Sequence, residues 1–128
     1  MDKAPKYLIE TDILIQHLTT NYPFDSFLTK LMQLGLCFTS VFNASELLLL
    51  SNSDYEIKKV KELLYALKVL GIHSRYSLLI PDHSNKFYNI RDALFYILAE
   101  VNRLTIVSLK PEKYIGLKAP SVHPMNLL

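Results

Sequence analysis

A three-layer α/β/α fold around a central, mostly parallel sheet is what this chain predicts, and three observations carry the prediction. Short apolar runs at residues 6–10, 36–39 and 104–108 alternate with longer segments whose apolar residues recur at helical spacing. Strands that are apolar at consecutive positions suit a sheet covered on both faces, as parallel sheets are. The chain has 128 residues, half of them apolar, which is enough to bury one core; no internal repeat or linker divides it, so one domain over 1–128 is expected.

The elements follow in order. Residues 6–10 read as a buried strand. Thr11 or Asp12 is placed to cap a helix with Ile13, Leu14, His17 and Leu18 on one side. A second helix starts after Pro23 and runs to Leu34 with Phe24, Phe27, Leu28 and Leu31 as its face, and Gly35 ends it. After the strand at 36–39, Ser40 caps a third helix that reaches Leu50 and is broken by Ser51, Asn52 and Ser53. Ser53 or Asp54 opens a fourth, on which Ile57, Val60, Leu64, Leu67 and Leu70 step along one side until Gly71 closes it. Residues 72–90 resist assignment: 77–80 fit strand or helix, Pro81 interrupts, and 82–88 suggest a polar loop or short turn. Residues 92–102 predict a helix burying Leu94, Ile97, Leu98 and Val101. A strand at 104–108, a turn at Lys110-Pro111 and a short edge strand at 116–120 complete the order.

Composition excludes several classes. A charged fraction of 20% is too low for a disordered chain, and a net charge of +2 neither demands nor forbids nucleic acid. The single cysteine, Cys37, rules out an intramolecular disulfide and a cysteine-based zinc cluster; set between Leu36 and Phe38, it reads as a buried thiol. His17, His73, His83 and His123 show no zinc spacing. The polar N-terminus is no signal peptide and no apolar stretch approaches the roughly 20 residues of a membrane span, so a soluble cytoplasmic protein is expected.

The chemistry lies in three acids. Glu10 ends the run Tyr7-Leu8-Ile9, Glu46 follows a turn bearing Thr39 and Ser40, and Asp92 opens Asp92-Ala93-Leu94. A carboxylate beside a buried run loses hydration, and a hard divalent cation with oxygen ligands is one compensator. Each has a plainer reading as well: Glu10 and Asp12 as acidic groups at a helix start, Glu46 as a solvent-facing glutamate, Asp92 as a helix cap. Arg75, Lys86, Arg91 and Lys110 could meet phosphates, and Tyr76, Phe87 and Tyr88 could stack on bases, against a simpler reading as scattered surface residues.

In this order the motifs resemble the PIN domain family, which includes the VapC-type toxins of bacterial toxin–antitoxin pairs. The matching segments are Tyr7-Leu8-Ile9-Glu10-Thr11-Asp12, Thr39-Ser40-Val41 through Glu46-Leu47, Asp92-Ala93-Leu94 with Ile106-Val107-Ser108, and Tyr114-Ile115-Gly116-Leu117-Lys118. The resemblance implies an endoribonuclease that hydrolyses RNA phosphodiesters with Mg²⁺ or Mn²⁺. Glu10, Glu46 and Asp92 would be its metal ligands and catalytic acids, and Ser108 a support that hydrogen-bonds a carboxylate or a metal-held water. It also implies an antitoxin partner, whose basic side chain would neutralise the acids, and a homodimer formed through helices such as those around 27–31 and 57–70. Two positions depart from the pattern. Glu10 stands where the family has Asp, which moves its oxygens by roughly 1.5 Å, with Asp12 as a shorter replacement. Lys110 stands where a late Asp or Asn is usual, so one metal ion is expected rather than two. The alternative is a PIN-like domain with a disabled site that binds RNA or protein without cutting. A phospho-accepting receiver domain of similar length is set aside, because its only mid-chain acceptor would be Asp54, in a helical context.

Overall fold

Lys6–Ile9 forms β1, the central strand of the computed structural model, which describes residues 4–83, 86–87 and 89–128. Tyr7, Leu8 and Ile9 are all buried, as a strand flanked on both edges and both faces requires. After it come α1 (Thr11–Thr19), α2 (Phe27–Leu34), β2 (Leu36–Ser40), α3 (Val41–Leu50), α4 (Asp54–Ala66), β3 (Lys68–Leu70), α5 (Ile90–Asn102), β4 (Thr105–Val107) and β5 (Ser121–Val122). Among the described residues the five strands make one sheet in the order β3-β2-β1-β4-β5, with every pair parallel. The α/β architecture with a parallel sheet is therefore as the sequence predicts.

Side chains alternate across β1 and sort the helices into two layers. Tyr7 and Ile9 pack with Ile13 and Leu14 of α1, Leu28 and Leu31 of α2, Leu47 of α3 and Val60 and Leu63 of α4. Leu8 and Ile106 face the other way, onto Phe95, Ile97 and Leu98 of α5. Each such side chain taken fully out of water contributes about 1.5–3 kcal/mol. The strand order reverses beside β1: the chain builds outward through β2 and β3, then returns to place β4 on the opposite edge. The crevice at the carboxyl ends of β1 and β4 is the switch point where open α/β sheets bind ligands.

Local signals explain most boundaries. Ser40 caps α3 in a reciprocal box with Asn43, Ser53 caps α4 and Ser26 caps α2. Several expectations are corrected. Glu10, not Thr11 or Asp12, caps α1, and Asn89, not Asp92, caps α5. Pro23–Asp25 is a separate 3-10 turn, leaving Phe24 exposed rather than on the helix face. Helix α4 ends at Ala66, and the apolar run that seemed to extend it to Leu70 is strand β3, held by β2. Ser74–His83 is a 3-10 segment, and the expected reading of 82–88 lies partly outside the described residues, as does the stacking role considered for Tyr88. Helix α5 starts at Ile90, and Val101 is exposed. The edge strand is Ser121–Val122, just beyond the expected 116–120. Asp54 opens a helix, as its context suggested. Cys37 is half-buried, with burial pushing its thiol up to about 12. No helix among the described residues is long and apolar enough to cross a membrane.

One glycine is required by close approach rather than by backbone freedom. Gly35 has extended geometry, and a Cβ there would collide with the Pro5 carbonyl oxygen and sit 2.9 Å from Pro5 Cγ. The same carbonyl accepts from Leu36 N–H at 2.9 Å, which fixes the start of β2 beside β1. Gly35→Ala is expected to cost about 1–3 kcal/mol by overpacking. That should appear as a melting temperature lower by roughly 3–12 °C; an unchanged melting curve would show that the β1–β2 edge yields freely.

Candidate active site

Glu10 follows the last residue of β1, and its backbone N–H donates to Val107 O at 3.0 Å, so the acid is pinned at the switch point. Its side chain is buried yet fully engaged. Oε1 accepts from Thr11 N–H at 3.0 Å, from Asn43 Nδ2 at 3.0 Å and from Arg91 Nη2; Oε2 accepts from Arg91 Nη1 and from the Tyr114 hydroxyl, both at 2.8 Å. Glu46 enters from α3: its Oε1 accepts from Thr11 Oγ1 at 2.6 Å and from Arg91 Nη2 at 2.7 Å. Asp92, in the first turn of α5, accepts from Arg91 Nη1 at 3.2 Å, with Lys113 Nζ at 3.9 Å from its other oxygen. Three acids separated widely in sequence thus share one guanidinium.

Burial grades them. Glu46 has a side chain 40% exposed, Asp92 16% and Glu10 5%, so Glu46 opens to solvent while Glu10 forms the floor. Burial works against Glu10's charge most strongly. The bonds and charge of Arg91, with help from Thr11 N–H and the Tyr114 hydroxyl, nevertheless hold its carboxyl below the usual range. For Arg91, burial disfavours the charge, but Glu10 and Glu46 more than offset this and keep the guanidinium protonated. Burial, then the charges of Glu10 and Asp92, push the Tyr114 hydroxyl up, so it remains a neutral donor.

Ser108 does not join this cluster. It follows β4, and its hydroxyl donates to Asp12 Oδ2 at 2.9 Å, an oxygen that also accepts from Leu109 N–H at 3.0 Å. Asp12 Oδ1 is buried without a partner among the described residues. Burial raises the Asp12 pKa, the two bonds oppose this, and the charge of Glu10 adds to the rise. Asp12 and Ser108 therefore form a second acidic position on the β4 side of Glu10. Lys110 is exposed, and its backbone N–H donates to Ser108 Oγ at 3.0 Å.

Sequence reasoning weighed Arg91 only as a phosphate contact or a scattered surface charge, Thr11 only as a helix cap and Tyr114 only as part of a family-like tail, and gave Asn43 no role at the acids. A signal for Arg91 was present: a cation in the first turn of a helix opposes the macrodipole and calls for carboxylate partners. Asn43 is fully buried and joins the α3 cap to Glu10 and, at 2.8 Å, to Thr11 Oγ1. Phe95 lies 4.9 Å beneath the Arg91 guanidinium and packs on the Tyr114 ring.

In donor chemistry the three acids suit a hard divalent cation, and they already converge on a positive group. The centre is filled by Arg91, however, and among the described residues no three His, Cys, Asp or Glu side chains stand close enough as placed to hold an ion.

No protein-family model and no curated protein matches the sequence. Solved structures do match. A toxin–antitoxin complex from Klebsiella pneumoniae contains a chain that superposes with a TM-score of 0.75 at 14% identity, over 92% of this chain and 97% of its own. The DNA-bound VapBC of Salmonella typhimurium gives 0.77 at 14% identity, over 94% and 98%. VapBC2 of Rickettsia felis, bound to a DNA fragment from its promoter, gives 0.69 at 16%, over 92% and 98%. At these identities the likeness establishes the fold, and it is the fold of the PIN-domain chains in VapBC complexes.

Proposed function

We propose that this chain is a Mg²⁺- or Mn²⁺-dependent endoribonuclease acting as the toxin of a toxin–antitoxin pair. One observation carries the reading: Glu10, Glu46 and Asp92, from three distant segments, converge at the carboxyl end of the sheet in a fold shared with VapBC complexes. Those complexes support an antitoxin partner for this chain; RNA as its substrate is what the resemblance of its acidic motifs to the PIN family implies.

Glu10, Glu46 and Asp92 would hold the ion. Bound there, it would supply positive charge against the scissile phosphate and lower the pKa of an attacking water. The chain's own groups do the rest. Glu46, the most exposed of the three acids, would meet an entering substrate first. Asn43 and Thr11 fix Glu10 and Glu46 relative to each other through hydrogen bonds of 2.6–3.0 Å. Ser108 holds Asp12 in the neighbouring acidic position rather than touching the three acids, and Lys113, half-exposed beside Asp92, offers a point charge to an entering phosphate.

Asp92→Asn keeps the shape of the side chain and removes a ligand charge. Cleavage of RNA in Mn²⁺ is expected to fall by at least about 100-fold, since even residues outside a ligand set cost 10–100-fold. Cutting that survives in this variant, or that ignores chelator, would remove the metal-site reading. The position of Arg91 favours a second reading, a PIN-like domain that binds RNA or a partner with its acids permanently paired to Arg91. RNA binding without cleavage in any divalent ion would select it.

A further inference from the structure

We infer that Arg91 is a built-in counterion that closes the acidic site, and that the site admits a divalent cation only when Arg91 turns out toward solvent. This rests on the metal-site reading above and adds a control element belonging to the chain itself.

The geometry is that of a plug. Arg91 lies one residue before Asp92 in the first turn of α5, and its side chain reaches from the helix to Glu10 at the floor of the site. Its planar fork engages both oxygens of Glu10, and the same two nitrogens reach Glu46 at 2.7 Å and Asp92 at 3.2 Å. Bidentate pairing of this kind is specific to guanidinium and beyond lysine. Every acid proposed as a ligand therefore spends at least one oxygen on Arg91, and the lone pairs of Glu10 are committed among Arg91, Thr11, Asn43 and Tyr114. An ion cannot enter while the fork is in place.

Three features limit the hold of the plug. Two positive charges, Arg91 and the half-exposed Lys113, face three carboxylates, so the site remains net negative and still attracts cations. Arg91 Nε is buried with no partner among the described residues, a cost that turning outward would relieve. The side chain also keeps 23% of its surface exposed, which gives it a short path to water. Closed and open arrangements of one side chain are thus the two states that a divalent ion, a phosphate group or a bound partner would bias.

The test is Mn²⁺ calorimetry and thermal denaturation on the full chain, on Arg91→Ala and on Arg91→Lys, with RNA cleavage scored beside them. Arg91→Ala is expected to bind Mn²⁺ at least about tenfold more tightly than the parent. Its melting temperature should rise with Mn²⁺ where the parent's barely moves. Low-millimolar guanidinium should stabilise the alanine variant alone and compete with Mn²⁺ there. A merely structural Arg91 would lose stability on substitution and gain no Mn²⁺ affinity. Should the alanine variant fail to fold, Arg91→Lys keeps the charge and lacks the fork, and it too must bind Mn²⁺ more tightly than the parent. Equal affinity in parent and variants, with cleavage intact, overturns the plug and leaves the nuclease standing. No Mn²⁺ binding and no cleavage by any of the three overturns both.

Discussion

Glu10→Ala is expected to destabilise the protein by about 3–5 kcal/mol, the cost of breaking a buried ion pair from one side. Glu10 is 4% exposed, and its loss would take an acceptor from Arg91, the Asn43 amide and the Tyr114 hydroxyl together, leaving the half-buried guanidinium only Glu46 and Asp92. Urea denaturation of parent and variant would measure it. A change under about 1 kcal/mol, as is usual for surface pairs, would mean that these donors find water instead.

The same acid sets an acid limb in stability. Its folded pKa lies below its ordinary value of 4.5, held down against burial by Arg91, Thr11 and Tyr114. Its contribution is therefore complete above pH 4.5 and lost as pH falls through the depressed folded value. Asp12 works in the opposite sense. Its folded pKa is raised above 3.8, chiefly by burial, so its ionisation takes stability away as pH rises from 3.8 through the raised value. Glu10→Ala should thus lose less stability than the parent on acidification below pH 4.5, and parallel curves would detach the limb from Glu10.

Asn43→Ala is expected to cost about 2–4 kcal/mol, about 1 from the helix cap and the rest from buried groups left without partners. The Asn43 Oδ1 accepts from Ser40 N–H at 2.9 Å and from the Ser40 hydroxyl at 2.5 Å, while Nδ2 donates to Glu10 and Thr11. The side chain therefore couples the start of α3, which carries Glu46, to the end of β1, which carries Glu10. Asn43→Asp separates the two duties: it keeps the capping acceptor, loses the donor and sets a second carboxylate against Glu10. If Asp and Ala variants melt alike, the link to Glu10 matters more than the cap. If Asp matches the parent, the cap is the whole effect.

Much of the fold was legible because local chemistry and packing agree. The consecutive apolar run Tyr7-Leu8-Ile9 has no polar face to offer solvent, so it had to be central. Ser40, Ser53 and Gly35 mark ends that depend on capping or close approach within a few residues. The misses fall where a distant segment decides. Leu67 and Leu70 continue the helical spacing of α4, but β2 offers Lys68–Leu70 a parallel edge, and three residues of strand take their hydrogen bonds from that neighbour. Ser121–Val122 is strand only because β4 lies beside it. Phe24 and Val101 have helical spacing and no facing element, so both stay exposed.

The site divides in the same way. From the sequence came the three acids and their settings, Glu10 after a strand, Glu46 within the helix that Ser40 caps and Asp92 at a helix start, because periodicity and capping fix where along an element a residue falls. Tertiary structure alone decided what fills the space among them. The Arg91 side chain has several rotamers, and in isolation all would point a charge at water. Only the meeting of β1, α3 and α5 creates a pocket of three carboxylates whose combined attraction exceeds the cost of desolvating a guanidinium. Glu10 likewise could be read as an acid at a strand end, but its burial and its depressed pKa come from groups as distant in sequence as Asn43, Arg91 and Tyr114. Pairing of charges across such separations is a property of the folded surface and has no local periodicity to announce it.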